Sequence, residues 1–179
     1  MILSDTNILS TFAKINEVAL LLRLLAPDKI GIVPAVYTEV LVGVDRGYKD
    51  LQTIVDFVRQ GEIDLVAPDA GEILQKASLP ASFDTGERET LVVAQARGHA
   101  VLTNERQVKH WCQRQGLHCL DLPGILRALW KTRLVSQEQV QHLIEQIEAK
   151  DRQLELGYKM VKLTSFGKQF VKNVVKNKE

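Results

Sequence analysis

The chain has 179 residues, 45% of them hydrophobic and 25% charged, with a net charge of +1. That length suits one domain with a full core, and no apolar run approaches the ~18–20 residues needed to cross a bilayer. The N-terminus lacks the basic region of a signal peptide and the two cysteines, Cys112 and Cys119, form no ligand cluster, so a reduced cytoplasmic protein is expected.

In chain order, "MILS" reads as a short apolar strand that stops at Asp5. "TNILSTFAKI" follows as a helix, with Ile8, Leu9, Phe12 and Ala13 on one face. "EVALLLRLLA" is helical until Pro27 ends it. "KIGIVP" is a second buried strand, and Pro34 opens the helix "AVYTEVLVGV" at a favoured position. "KDLQTIVDFVRQG" is amphipathic and stops at Gly61. "EIDLVAP" reads as a strand and "AGEILQKA" as a short helix. "FDTGERETLVVAQARG" is a helix with Asp84 as N-cap, Glu87 three residues on in a capping-box pattern, and Gly98 as its stop. "HAVLT", "NERQVKHWCQRQG" and "LHCLDL" read as strand, helix and strand. After Pro123 the chain is helical, with Ser136 and Gln139 making another cap-like start.

Strands that alternate with helices through Leu122 predict an α/β fold, a three-layer sandwich around a mostly parallel sheet with helices appended at the C-terminus. The expected domain runs over 1–156, its helical C-terminal part beginning near 123. Residues 157–179 carry six Lys and one Glu, a charge of +5, which leaves −4 for the remainder. This segment reads either as a solvated terminal helix or as a phosphate-contacting arm.

Chemistry in open α/β folds gathers at the carboxyl ends of the strands. Asp5 follows the first strand and Glu105 follows "HAVLT". Glu39 lies one turn into the helix after the second strand, and Glu87 one turn into the helix before "HAVLT". Four carboxylates from four segments thus converge on one edge. Each also has a local explanation as a helix cap or a partner of a helix N-terminus, except Glu39, which sits among apolar residues. Convergent carboxylates raise each other's pKa values and are tolerated when a cation neutralises them. An oxygen-only set favours Mg²⁺ or Mn²⁺. No phosphate-binding glycine loop, dinucleotide fingerprint or nucleophile elbow is present. A haloacid-dehalogenase-type phosphatase needs D-x-D, and position 7 is Asn.

These residues resemble the four motifs of the PIN domain family, in order, over about Met1 to Leu122. "ILSDTNIL" is similar to the opening strand, "VPAVYTEVL" to the Pro-led helix with a central Glu, "FDTGERETLVVAQARG" to the third motif and "AVLTNE" to the fourth. "LDLPGILRALWKTRLVSQEQVQHLIEQI" resembles the helical C-terminal part of a prokaryotic PIN-like subfamily. The resemblance implies a PIN-like fold and a Mg²⁺- or Mn²⁺-dependent ribonuclease, in a family many of whose members are VapC-type toxins silenced by an antitoxin protein. The alternative is a catalytically weakened module that binds protein or RNA. It implies Asp5, Glu39, Glu87 and Glu105 as catalytic metal ligands, with Thr6, Asn7, Thr103 and Asn104 hydrogen-bonding ligands or waters around them. Glu87 and Glu105 keep the family's 18-residue spacing, although both family positions are usually Asp. Asn104 is an alternative fourth ligand. Arg88, Arg106, Lys109 and the tail lysines are the candidates for drawing in RNA. Asp84 is expected to act only as a cap and Glu89 as a solvated neighbour. A homodimer is implied, for which the faces Val18–Leu25 and Ile125–Trp130 would serve unless they belong to the core.

Overall fold

Five short apolar segments form the sheet: β1 (Ile2–Ser4), β2 (Ile30–Ile32), β3 (Ile63–Leu65), β4 (Ala100–Leu102) and β5 (Cys119–Leu120). Every pairing is parallel and the order is β3-β2-β1-β4-β5. The computed structural model describes residues 1–150, so the expected basic segment 157–179 and its boundary lie outside the described residues. β1 and β2 are buried along their whole length, because helices cover both faces of a parallel sheet and such strands read as continuous apolar runs. Gly31 in β2 is required by packing: a Cβ there would lie 2.7 Å from the Val66 side chain and 3.0 Å from Leu3.

The helices are α1 (Thr6–Lys14), α2 (Val18–Leu25), α3 (Pro34–Asp45), α4 (Gln52–Arg59), α5 (Ala70–Gln75), α6 (Thr85–Arg97), α7 (Arg106–Gln115), α8 (Leu122–Lys131) and α9 (Gln137–Lys150). α1 packs against α2, α3, α4 and α9, while α6 lies on β1 and β4 and touches α3 and α5. Ile8, Leu9 and Phe12 of α1 are fully buried, as are Leu21 and Leu24 of α2 and Ile125, Leu126 and Leu129 of α8. Each such side chain contributes roughly 1.5–3 kcal/mol by leaving water. The faces considered for a dimer in α2 and α8 are therefore core.

The stops foreseen from glycine hold. α6 and α7 end at Gly98 (φ 67°) and Gly116 (φ 71°), both left-handed, a conformation that costs other residues steric strain. No helix among the described residues is long and apolar enough to cross a membrane.

The strand order places the site. The chain builds β1, β2 and β3 outward in one direction, then returns to the other side of β1 for β4 and β5. The connections leaving β1 and β4 diverge, and a crevice opens at their carboxyl ends. Asp5 and Glu105 stand close beyond those two ends.

Candidate active site

Asp5 leaves β1 with its amide donating to the Leu102 carbonyl of β4 (3.1 Å). Its Oδ1 accepts from the Ile8 amide (2.9 Å) and caps α1. Its Oδ2 is buried and has no hydrogen-bond partner. The Thr103 hydroxyl holds the Asp5 pKa down in part, but no donor meets Oδ2 with hydrogen-bond geometry. Burial is the main reason that the Asp5 carboxyl is pushed up to about 7, and the charges of Glu105 and Glu87 add to it.

The other acids surround this atom from separate elements. Glu39 projects from the second turn of α3, where its Oε2 accepts from the Thr6 hydroxyl (2.5 Å). Burial raises its pKa, the Thr6 bond opposes the rise, and Asp84 adds to it. α6 approaches so closely here that a Cβ on Gly86 would sit 2.8 Å from Glu39 Oε1; the glycine of "DTGE" makes room for the carboxylate. Glu87 closes a capping box with Asp84: each side chain accepts from the other's backbone amide, at 2.9 and 2.7 Å. Its pKa is raised by burial first, then by the charges of Asp84, Glu105 and Glu39. Glu105 begins α7, and its Oε1 accepts from Asn7 Nδ2 (2.8 Å).

All four expected acids line one cleft of about 440 Å³, together with Thr6, Asn7, Val36, Ser82, Asp84 and Gly86. The lining carries five carboxylates and no Lys, Arg or His. Sequence reasoning assigned Asp84 to capping alone. It does cap α6, and it also faces the cleft and raises both neighbouring glutamates. The signal for this was its place three residues before Glu87 on a loop that returns to the strand edge.

Of the other expected positions, Thr103 stands against the Asp5 carboxyl, whose pKa its hydroxyl lowers, and the rest lie elsewhere. Thr103 and Asn104 do not line the cleft. Thr103 Oγ1 accepts from the Glu105 amide (3.0 Å), which fixes the turn after β4. Asn104 Oδ1 accepts from the Leu122 amide (2.9 Å) at the start of α8, so its oxygen is committed to a helix start. Arg88, Arg106 and Lys109 are also outside the cleft lining. Lys109 is ion-paired with Asp121 (3.1 Å), and the Arg88 Nε is buried without a partner.

Glu89 is not a solvated neighbour. It is only 7% exposed. Its Oε1 accepts from the Ala35 amide in the first turn of α3 (3.0 Å) and its Oε2 from Lys76 Nζ (2.7 Å). Glu87 and Glu89 are two residues apart and point to different sides of α6, one into the cleft and one into a clamp on α3. The spacing predicted the divergence, but the partner of Glu89 is a lysine 13 residues upstream that no local pattern connects to it.

Among the described residues no three Asp, Glu, His or Cys side chains stand ready grouped around a single point. Glu39, Glu87 and Glu105 are each turned onto a local donor. The donor set nonetheless fits a hard divalent cation. It is all oxygen, its charges lack internal cations, and it contains a buried acceptor, Asp5 Oδ2, with no partner in hydrogen-bond geometry. Such an atom costs folding free energy unless a ligand completes it.

A sequence model of the PIN domain matches residues 1–158. No curated protein matches the chain, and no solved structure does.

Proposed function

The chain belongs to the PIN domain family, and from that premise we propose that it is a Mg²⁺- or Mn²⁺-dependent ribonuclease that hydrolyses RNA phosphodiester bonds. The observation that carries this reading is the unpartnered, buried Oδ2 of Asp5 at the centre of a cleft of five carboxylates. Asp5, Glu39, Glu87 and Glu105 would hold the cation. A divalent ion bound to such a set polarises the scissile phosphate and lowers the pKa of the attacking water.

The chain's own groups prepare that role. Asp5 is fixed by the Ile8 amide through one oxygen and offers the other. Thr6 and Asn7, adjacent on the first turn of α1, hold Glu39 and Glu105 on opposite sides of Asp5. These bonds keep the flexible glutamates beside the cleft, and a glutamate that reaches a cation must leave its local donor to do so, losing rotamer freedom at that step. Asp5 must give up its proton to ligate, so occupancy of the site is coupled to pH. A toxin role, with a small antitoxin partner, is one biological setting compatible with this chemistry.

The test is Mn²⁺-dependent cleavage of single-stranded RNA by the purified chain, with Asp5→Asn as control. The reading expects cleavage that disappears with the metal and with the substitution. Cleavage that survives Asp5→Asn would place the activity elsewhere, and RNA or protein binding without any cleavage would mark an interaction module.

A further inference from the structure

The acidic cleft repels phosphate, so an RNA strand reaching it needs a cationic or neutral surface next to it. A second groove of about 440 Å³ adjoins the cleft, sharing Ser82 with it. One wall is the loop at Pro80, Ser82 and Phe83, and the other is α7, with Gln107, His110, Gln113 and Arg114. Its lining is the reverse of the cleft's: it contains an arginine, an imidazole and two amides, and no carboxylate.

Resting on the ribonuclease reading, we propose that this groove binds the nucleotide next to the scissile phosphate, with Arg114 and His110 on the neighbouring phosphate and the glutamine amides on the base edge. Gln107, His110 and Arg114 fall at i, i+3 and i+7, along one face of α7. The helix starts at Glu105 in the cleft, so this row leads away from the acids over about 10 Å. None of the four polar side chains has a hydrogen-bond or ion-pair partner among the described residues. They are exposed donors and acceptors with no structural employment. In contrast, Lys109 between them is paired with Asp121, which removes the residue first expected to contact RNA. Below the groove Phe83 and Trp111 pack edge to face (centroids 6.4 Å apart, interplanar angle 84°). Both rings are buried, Phe83 lines the groove, and their packing fixes the loop wall against α7.

The experiment uses the full-length chain. Binding of a fluorescent single-stranded RNA oligonucleotide to Asp5→Asn protein, in Mg²⁺, is measured by anisotropy over a salt series, alone and with Arg114→Ala plus His110→Ala. Steady-state cleavage is measured in the same double variant with Asp5 intact. The proposal expects about tenfold weaker binding and a salt slope shallower by about 0.7 per lost phosphate contact. It expects KM to rise by a similar factor with kcat within about twofold, Arg114→Lys to recover most of the loss, and Arg59→Ala on α4 to change nothing. Unchanged affinity, slope and KM in a folded double variant would overturn it while leaving the ribonuclease reading standing. Loss of RNA binding in a chain that never cleaves would support the groove and count against the ribonuclease reading.

Discussion

α6 separates two ways of grouping acids. On the cleft side Asp5, Glu39, Asp84, Glu87 and Glu105 share one space with no basic side chain. On the α5 side, Glu72 meets the Arg97 guanidinium through two bonds of 2.7 Å, and Glu89 meets Lys76 at 2.7 Å. The electrostatics divide accordingly. Asp5, Glu39 and Glu87 are raised, with burial the leading cause in each, whereas the Arg97 hydrogen bonds hold Glu72 below the usual carboxylate range. The fold supplies cations where acids serve structure and withholds them at the strand edge, where an external cation is needed. Stability is forgone at the site and recovered in the ion-paired seam.

The largest expected effect comes from taking away the central acid. Asp5→Asn keeps an N-cap for the Ile8 amide yet removes the charge, and Mn²⁺-dependent RNA cleavage should fall by more than about 100-fold, beyond the cost typical of outer-sphere changes. The same variant should be more stable than the native chain without metal. Because the folded pKa of Asp5 lies near 7, above its ordinary value near 3.8, the unfolded chain ionises first as pH rises. The contribution of Asp5 is fully present below about pH 4 and is lost as pH climbs towards 7. Urea unfolding at pH 7.5 should therefore favour Asp5→Asn, and the difference should vanish near pH 4. A variant less stable at pH 7.5 would mean that the acid is not strained by burial.

Next comes the paired side. Arg97→Ala leaves Glu72 buried and uncompensated and should cost about 2 kcal/mol in urea unfolding; this lies between the values for exposed and buried pairs, because the Arg97 side chain is 34% exposed. If it costs nothing, the contrast between the two acid groups collapses. Metal affinity should follow proton release from Asp5. Calorimetric Mn²⁺ binding should weaken about tenfold per pH unit below about 7 and level off above it. A flat profile between pH 5.5 and 8 would detach Asp5 from the metal.

The smallest effect distinguishes clamp from ligand. Glu89→Gln retains an acceptor for the Ala35 amide but loses its charge against Lys76 in a largely buried pair, so it should cost about 1–2 kcal/mol in stability and leave Mn²⁺ affinity within about threefold. A loss of metal binding as large as that of Glu87→Gln would make Glu89 part of the site.

Much of this was readable from the sequence because it depends on local pattern. Asp5 and Glu105 were placed by ending strands, Glu39 by its apolar helix, and Glu87 by its position one turn into the helix before β4; all four line one cleft. The helix stops were legible from glycine, whose left-handed conformation is a local property. The strands came out shorter than the apolar runs suggested. "LHCLDL" pairs only over Cys119–Leu120, since Asp121 accepts from the Gly124 amide (3.0 Å) and starts α8 at once. What escaped was long-range. The Glu89 clamp joins residues 54 and 13 positions apart, the Glu72–Arg97 pair spans 25, and the Asn104 bond to Leu122 spans 18. Nothing in a helical or alternating period records which distant donor a buried carboxylate will find.

A crystal of the chain grown with Mn²⁺ and measured at the manganese absorption edge tests the central claim most directly. The account predicts anomalous density within bonding distance of Asp5 Oδ2, with Glu39, Glu87 or Glu105 swung from Thr6, the Asp84 amide or Asn7 to complete the shell. Density away from Asp5, or a cleft that stays empty in saturating Mn²⁺, would contradict it.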